Sequence, residues 1–257
     1  MPIRTEVSQL FWQSLVDQHN ETIQLNLNDA KAYSIRGIAR AQLGDQNGAI
    51  ADFTGAIQLD SNCAEAYRNR GMAYAQLGDV KNALADYNRA IELQPDEATA
   101  YLNRGEIYLQ LGDLHSAIAD CHKTIQLNPS SARAYTNRGL ARFLLGFNEA
   151  AIADFDYAIQ LDAIQLDPML VDAYKNRGMA CLALGNLQGA LSDYDCTLQL
   201  NPNDASVYVS RGGTYSLLGQ KENAIADFQY AARLFQLQGD RARYQRLIDA
   251  LSRFQQQ

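Results

Sequence analysis

The sequence has little of what most chemistry requires. It carries three histidines and four cysteines in 257 residues. His19, His115 and His122 belong to no H-E-x-x-H or triad-like pattern, and Cys63, Cys121, Cys181 and Cys196 form no C-x-x-C pair. Nothing therefore suggests a zinc ribbon, a redox motif or a catalytic constellation, and neither enzymatic activity nor a cofactor is expected. Positive charge is also short: 22 Lys and Arg against 29 Asp and Glu leave a net charge of -7. A nucleic-acid binder needs a surplus of cations on one face, so that class is disfavoured. No apolar run is long enough for a signal peptide or a membrane span, and the unpaired cysteines fit a reducing compartment, so a cytoplasmic protein is expected. There is one tryptophan, Trp12, and only five prolines.

What is abundant is repetition. Tyr33, Tyr67, Tyr101 and Tyr135 recur every 34 residues, Tyr174 follows after 39 and Tyr208 after another 34. Four residues beyond each tyrosine stands a first glycine (Gly37, Gly71, Gly105, Gly139, Gly178, Gly212), and seven beyond that a second (Gly44, Gly78, Gly112, Gly146, Gly185, Gly219). The second glycine separates two stretches of helical periodicity, where a left-handed residue ends a helix without a Cβ clash. The first lies inside a helix, where it costs about 1 kcal/mol relative to alanine, so a packing reason is expected. Ala49, Ala83, Ala117, Ala151, Ala190 and Ala224 lie twelve residues on, and small residues facing one another would let the two helices approach. A ring at Phe53, Tyr87, Phe155, Tyr194 or Phe228 would fill the space one turn away. Pro95, Pro129, Pro168 and Pro202 discourage continuation of the second helix, with Ser61 in their place in the first unit. Cys121 takes a place that sibling repeats give to Phe or Tyr, and Cys181 one held by Tyr74, Tyr108 or Tyr215, so both are read as packing residues.

Every unit also carries an arginine just before the first glycine (Arg36, Arg70, Arg104, Arg138, Arg177, Arg211) and an aspartate in the second helix (Asp52, Asp86, Asp120, Asp154, Asp193, Asp227). Their regularity points to architectural ion pairs, within a unit or between neighbours.

These features resemble the tetratricopeptide repeat family, in a variant with an Asn-Arg-Gly signature and Tyr for the commoner Trp. The resemblance implies an all-α, right-handed superhelical solenoid of antiparallel helix pairs. Six units are expected over 30–237, divided as 30–63, 64–97, 98–131, 132–170, 171–204 and 205–237. A capping half-repeat is expected over 1–29, with Leu10, Phe11, Leu15, Val16 and Ile23 on its inner side and Trp12 serving the cap. A last capping helix over 238–257 carries Tyr244, Leu247, Leu251 and Phe254 on one face and Arg241, Arg243, Arg246 and Arg253 toward solvent. The fourth unit is longer because Ala158-Ile-Gln-Leu-Asp is duplicated at Ala163–Asp167. Five extra residues would add about 1.4 turns to a continuing helix, so a locally lengthened helix or loop with intact repeats on both sides is expected.

In the family, first helices line a concave groove, and the residue two before the first glycine commonly faces it. That row reads Ile35, Asn69, Asn103, Asn137, Asn176 and Ser210. It is similar to the asparagine ladder in the repeat region of O-linked N-acetylglucosamine transferases, where an extended polypeptide lies. An amide can pair with both the N–H and C=O of a peptide backbone. Met72, Leu102, Leu140, Phe143, Met179 and Leu182 would add apolar anchors beside Lys31, Arg68, Glu106, Arg133 and Lys175, implying a ligand of partly acidic character. A carboxylate clamp for a chaperone tail matches poorly, because Ile38, Met72, Glu106, Leu140 and Met179 stand where it needs asparagine. The resemblance thus implies a protein-interaction scaffold, an adaptor or assembly factor that binds a protein or peptide partner. Self-association through the terminal helices is the alternative, and helical-repeat RNA binding a more distant one.

Overall fold

The structure, a computed structural model, describes residues 2–162 and 169–255. Fourteen α-helices and no strand occur among the described residues. They fall into two compact halves, Met1–Pro129 and Ser130–Gln257. The first half holds α1 (Pro2–Leu25), α2 (Ala30–Gln42), α3 (Gln46–Leu59), α4 (Ala64–Gln76), α5 (Val80–Leu93), α6 (Ala98–Leu111) and α7 (Leu114–Leu127). Here α2/α3, α4/α5 and α6/α7 form hairpins, and the first helices α2, α4 and α6 touch in succession. The second half holds α8 (Ala132–Leu144), α9 (Asn148–Asp162), α10 (Met169–Ala183), α11 (Leu187–Leu200), α12 (Ala205–Leu217), α13 (Lys221–Leu237) and α14 (Arg241–Gln255). Its hairpins are α8/α9, α10/α11 and α12/α13, with α8, α10 and α12 adjacent and α14 packed on α13.

Each hairpin turns on its second glycine, whose φ lies between 73° and 87°. That conformation lets the next N–H reach back to a carbonyl five residues earlier, as Asp45 does to Arg40 and Asp79 to Tyr74, both at 2.9 Å. This is the Schellman closure of a helix end. The same residue then caps the following helix: Asp45, Asp79 and Asp113 accept from Gly48, Asn82 and Ser116. One aspartate so ends one helix and starts the next, satisfying orphan backbone groups on both. The second helices α5, α7 and α11 stop just ahead of Pro95, Pro129 and Pro202, whereas Pro168 lies outside the described residues.

Gly139 shows that the first glycine makes room for a ring as well as for the expected alanine. A Cβ there would lie 2.7 Å from Cε1 of Phe155. The ring sits directly over the glycine. The same holds at Gly37, Gly71, Gly178 and Gly212, under Phe53, Tyr87, Tyr194 and Phe228. At Gly71 and Gly212 the carbonyl oxygen of Ala83 or Ala224 also lies 3.2 Å from the added atom. Gly105 is the exception, because Cys121 replaces the ring and its Sγ lies 3.6 Å from the same added atom. Cys121 and Cys181 are both buried, as packing residues should be.

The arginine–aspartate pairs close within each hairpin. Arg104 donates from Nε and Nη2 to the two carboxylate oxygens of Asp120, each at 2.7 Å, and the other five pairs repeat this fork. Every such aspartate is buried, so the bidentate geometry is what offsets its desolvation. The hydrogen bond to Asp120, then burial acting the other way, leaves Arg104 with its pKa raised. The tyrosine that opens the unit lies under the guanidinium, 5.6 Å from Arg104 in the case of Tyr101, a cation–π contact that shields the pair.

A further bond was not anticipated. Nη1 of Arg70 donates to Thr54 and Nη1 of Arg104 to Asn88, each sixteen residues back on the preceding hairpin. Arg36 reaches Asn20 on α1 in the same way, and Arg211 reaches Asp195. The arginine is thus a staple, pairing with an aspartate in its own hairpin and a polar side chain in the one before. Arg177 makes this bond to Asp156 at 2.5 Å across 21 positions. The five added residues therefore leave the register of α10 on α9 unchanged. The second AIQLD copy itself, Ala163–Asp167, lies outside the described residues.

The ends depart from simple caps. On α1, Val16 and Ile23 are buried as expected, but Leu10 and Phe11 are exposed. Trp12 is half-buried, edge-on to Phe11 with centroids 5.0 Å apart. On α14, Leu251 is buried while Tyr244 and Leu247 pack against Phe235 and Leu234. Arg241, Arg243 and Arg246 face solvent, and the side chains of Arg253 and Phe254 lie outside the described residues.

Candidate functional site

The first helices of each half lie side by side and present one face. Small buried residues, Ala66, Ala73, Ala100, Ala134, Ala141, Ala173 and Ala180, turn the other side of these helices into the hairpin interior. Residues two before the first glycine stand at the edge between that interior and the face, and the four asparagines divide there.

Asn69 and Asn137 are only 6% and 8% exposed. Asn69 Oδ1 accepts from Nη2 of Arg68 at 3.2 Å, which occupies an acceptor that a backbone N–H would need. Asn103 and Asn176 are half-buried. An uninterrupted four-rung ladder is thus reduced to one open rung in each half. Ile35 and Ser210, in the outer repeats, are half-buried, and Ser210 Oγ donates to the carbonyl of Ser206 at 3.2 Å.

The expected cations serve the array. Arg68 pairs with Glu97 at 3.2 Å and Lys175 with Asp204 at 2.9 Å, each 29 residues on. Glu97 and Asp204 are at the same time the N-caps of α6 and α12. Burial opposes ionisation of Asp204, yet hydrogen bonds from Ser206 and Lys175 hold its carboxyl below the usual carboxylate range. These two cations are thus neutralised by neighbouring helix starts, which removes most of the reason to expect an acidic ligand. Lys31 and Arg133 are exposed and Glu106 is half-buried.

The apolar residues also sort by half. In the first half Met72 is 37% exposed and Leu102 is half-buried. In the second, Leu140 and Phe143 are half-buried, while Met179 and Leu182 pack against the buried cluster of Cys181, Tyr194 and Val207. Asn103, Met72 and Leu102 in the first half, and Asn176, Leu140 and Phe143 in the second, are expected site residues that remain at least partly exposed. Such a face can offer paired amide bonds and shallow apolar contact. Among the described residues no group of three or more His, Cys, Asp or Glu is arranged to hold a metal, and no helix is long and apolar enough to cross a membrane.

The staple bonds to Thr54, Asn88, Asp156 and Asp195 had a sequence signal that went unread. Each stands two residues after the aspartate of its unit, and each is polar.

Family models described as TPR repeat match residues 37–78 and 71–112, and others described as tetratricopeptide repeat match 98–131, 171–204 and 205–235. No curated protein matches the sequence significantly. Among solved structures, the Cut9–Hcn1 hetero-tetramer of APC/C is similar at a TM-score of 0.77 and 18% identity, over 93% of this chain but 46% of that one. This chain thus spans about half of that relative's length. PilF of Pseudomonas aeruginosa is similar at a TM-score of 0.72 and 17% identity, over 86% of this chain and 97% of that one. YrrB, a TPR protein with an unusual peptide-binding site, is similar at 0.60 and 22% identity, over 74% and 94%. At these identities the likeness is one of fold. The recurring glycine turns, the stacked hairpins and the family matches from residue 37 to 131 and from 171 to 235 make this chain a member of the tetratricopeptide repeat family.

Proposed function

We propose that the protein is a non-catalytic cytoplasmic adaptor or assembly factor that holds an extended segment of a partner protein along the first-helix face of one half. A helical repeat array offers a protein-interaction surface as its general use, and YrrB carries a peptide-binding site on the same fold. The observation that carries the reading is one accessible amide in each half, Asn103 in the first and Asn176 in the second. Because Arg68 and Lys175 are engaged internally, selection rests on the ligand's apolar side chains rather than on its charge.

Selection of peptides from an unbiased displayed library on the intact protein tests this. Asn103→Ala/Asn176→Ala removes the open amide of each half; at about 1 kcal/mol per hydrogen-bonding side chain, a peptide selected on either half loses roughly fivefold in Kd. Asn69→Ala serves as the contrast, since its amide is buried, and leaves Kd within about twofold. Equal binding by all three proteins refutes the amide-based reading.

A self-assembling module is the second reading. It is supported by Val7, Leu10 and Phe11 of α1, which are 62%, 70% and 58% exposed.

A further inference from the structure

The helix α1 is longer than its place in the array requires. Through Asn20 it accepts the staple bond of Arg36, as Thr54 does for Arg70 and Asn88 for Arg104. Its C-terminal part therefore occupies the position of a second helix. The second helices α3, α5 and α7 have 14 residues each, whereas α1 has 24. The excess amounts to nearly three turns, and it carries Val7, Leu10 and Phe11. Their spacing, i, i+3 and i+4, places them on one stripe. The edge-on contact with Trp12 restrains the Phe11 ring, which lowers the entropy lost when that ring is bound.

At the other end of the chain, a groove of about 390 Å³ opens between α12 and α14. Val209, Phe235, Leu247 and Ala250 give it an apolar floor, and Arg243 and Arg246 stand at its rim. The Arg243 guanidinium lies 5.8 Å from the Phe235 ring centroid and 3.4 Å from Asp240, and its side chain is still 65% exposed. The two elements differ in charge. Of the acidic residues of α1, Glu6 adjoins the stripe, with Arg4 before it and Asp17 and Glu21 further along, while α14 carries Arg241, Arg243, Arg246 and Arg253 against Asp249.

We propose that the Val7–Leu10–Phe11 stripe of one copy seats in the α12/α14 groove of a second copy, with Glu6 toward the arginine rim. This rests on the self-assembly reading and assigns it an interface. An amphipathic helix laid in an apolar groove is a common recognition mode, and opposite charges speed and orient the encounter. The contact is heterologous: copies add stripe to groove until the rotation closes the assembly or continues as an open chain.

Sedimentation velocity on the full chain over a concentration series gives the test. The wild type shows a mass that rises with concentration and falls as salt is added. Phe11→Glu and Arg246→Glu each remain monomeric where the wild type associates, with unchanged helical circular dichroism because both side chains are exposed. Mixed together they form dimers and nothing larger, since one supplies an intact groove and the other an intact stripe. A wild type that is monomeric throughout overturns both the self-assembly reading and this interface. Association that survives in both variants overturns the interface alone.

Discussion

Replacing glycine by alanine in the third and fourth hairpins separates the ring-over-glycine account from the simpler idea that a small residue is needed everywhere. In Gly139→Ala the new Cβ lies 2.7 Å from Cε1, 3.0 Å from Cδ1 and 3.1 Å from Cζ of Phe155. The ring is fully buried and must move by several tenths of an ångström against close-packed neighbours. Overpacking of this kind costs about 1–3 kcal/mol, against a gain of about 1 kcal/mol in helix propensity. The net expectation is a loss of up to about 2 kcal/mol. In Gly105→Ala the nearest atoms are Asp120 Cβ at 3.3 Å, the Ala117 carbonyl oxygen at 3.6 Å and Cys121 Sγ at 3.6 Å. Little has to move, so the propensity gain dominates and stability rises by up to about 1 kcal/mol. Urea unfolding followed by circular dichroism measures both, with Phe155→Cys added to Gly139→Ala as the relieving partner. An equal loss at Gly105 and Gly139, or a Gly139→Ala cost that is undiminished when measured against Phe155→Cys alone, refutes the reasoning.

Arg104→Ala leaves the buried Asp120 without its fork and without the tie to Asn88, and costs about 3–5 kcal/mol; a melting temperature unchanged from the wild type contradicts the staple. Tyr194 has a buried hydroxyl that makes no hydrogen bond of ordinary geometry among the described residues; burial pushes its pKa up to about 12, opposed only in part by the nearby Ser210 side chain. Tyr194→Phe removes that unsatisfied group and raises stability by about 1 kcal/mol in urea unfolding. Removal of Ala163–Asp167 restores the 34-residue spacing. Because Arg177 already bonds Asp156 in normal register, the deletion variant unfolds at nearly the wild-type urea midpoint, and a loss of cooperativity would show that the added residues are needed.

Most of the fold was legible because repeat arrays write their packing locally. Hairpin turns, helix stops and caps depend on residues within one turn of each other, so Gly44 with Asp45 and Gly78 with Asp79 announce their structure in two letters. The candidate site was less legible. Asn69 and Asn103 occupy equivalent places in the repeat, yet one is buried beside Arg68 and the other half-buried. Exposure at such an edge is set by neighbouring side chains on adjacent hairpins, which a single-repeat comparison omits. Arg68 and Lys175 misled for the same reason, since their partners stand 29 residues away on another helix.

By itself the sequence determined the class of fold, the number of hairpins and the pairing of arginine with aspartate, because each follows from a spacing that the chain repeats. The tertiary structure alone decided that the arginine takes the aspartate of its own hairpin and also holds the preceding one, that the ring covers the glycine, and that two asparagines are buried. It alone decided that α1 carries an uncovered stripe. Each depends on which side chains from distant positions share one space, and burial and directional hydrogen bonds exist only once the hairpins have packed.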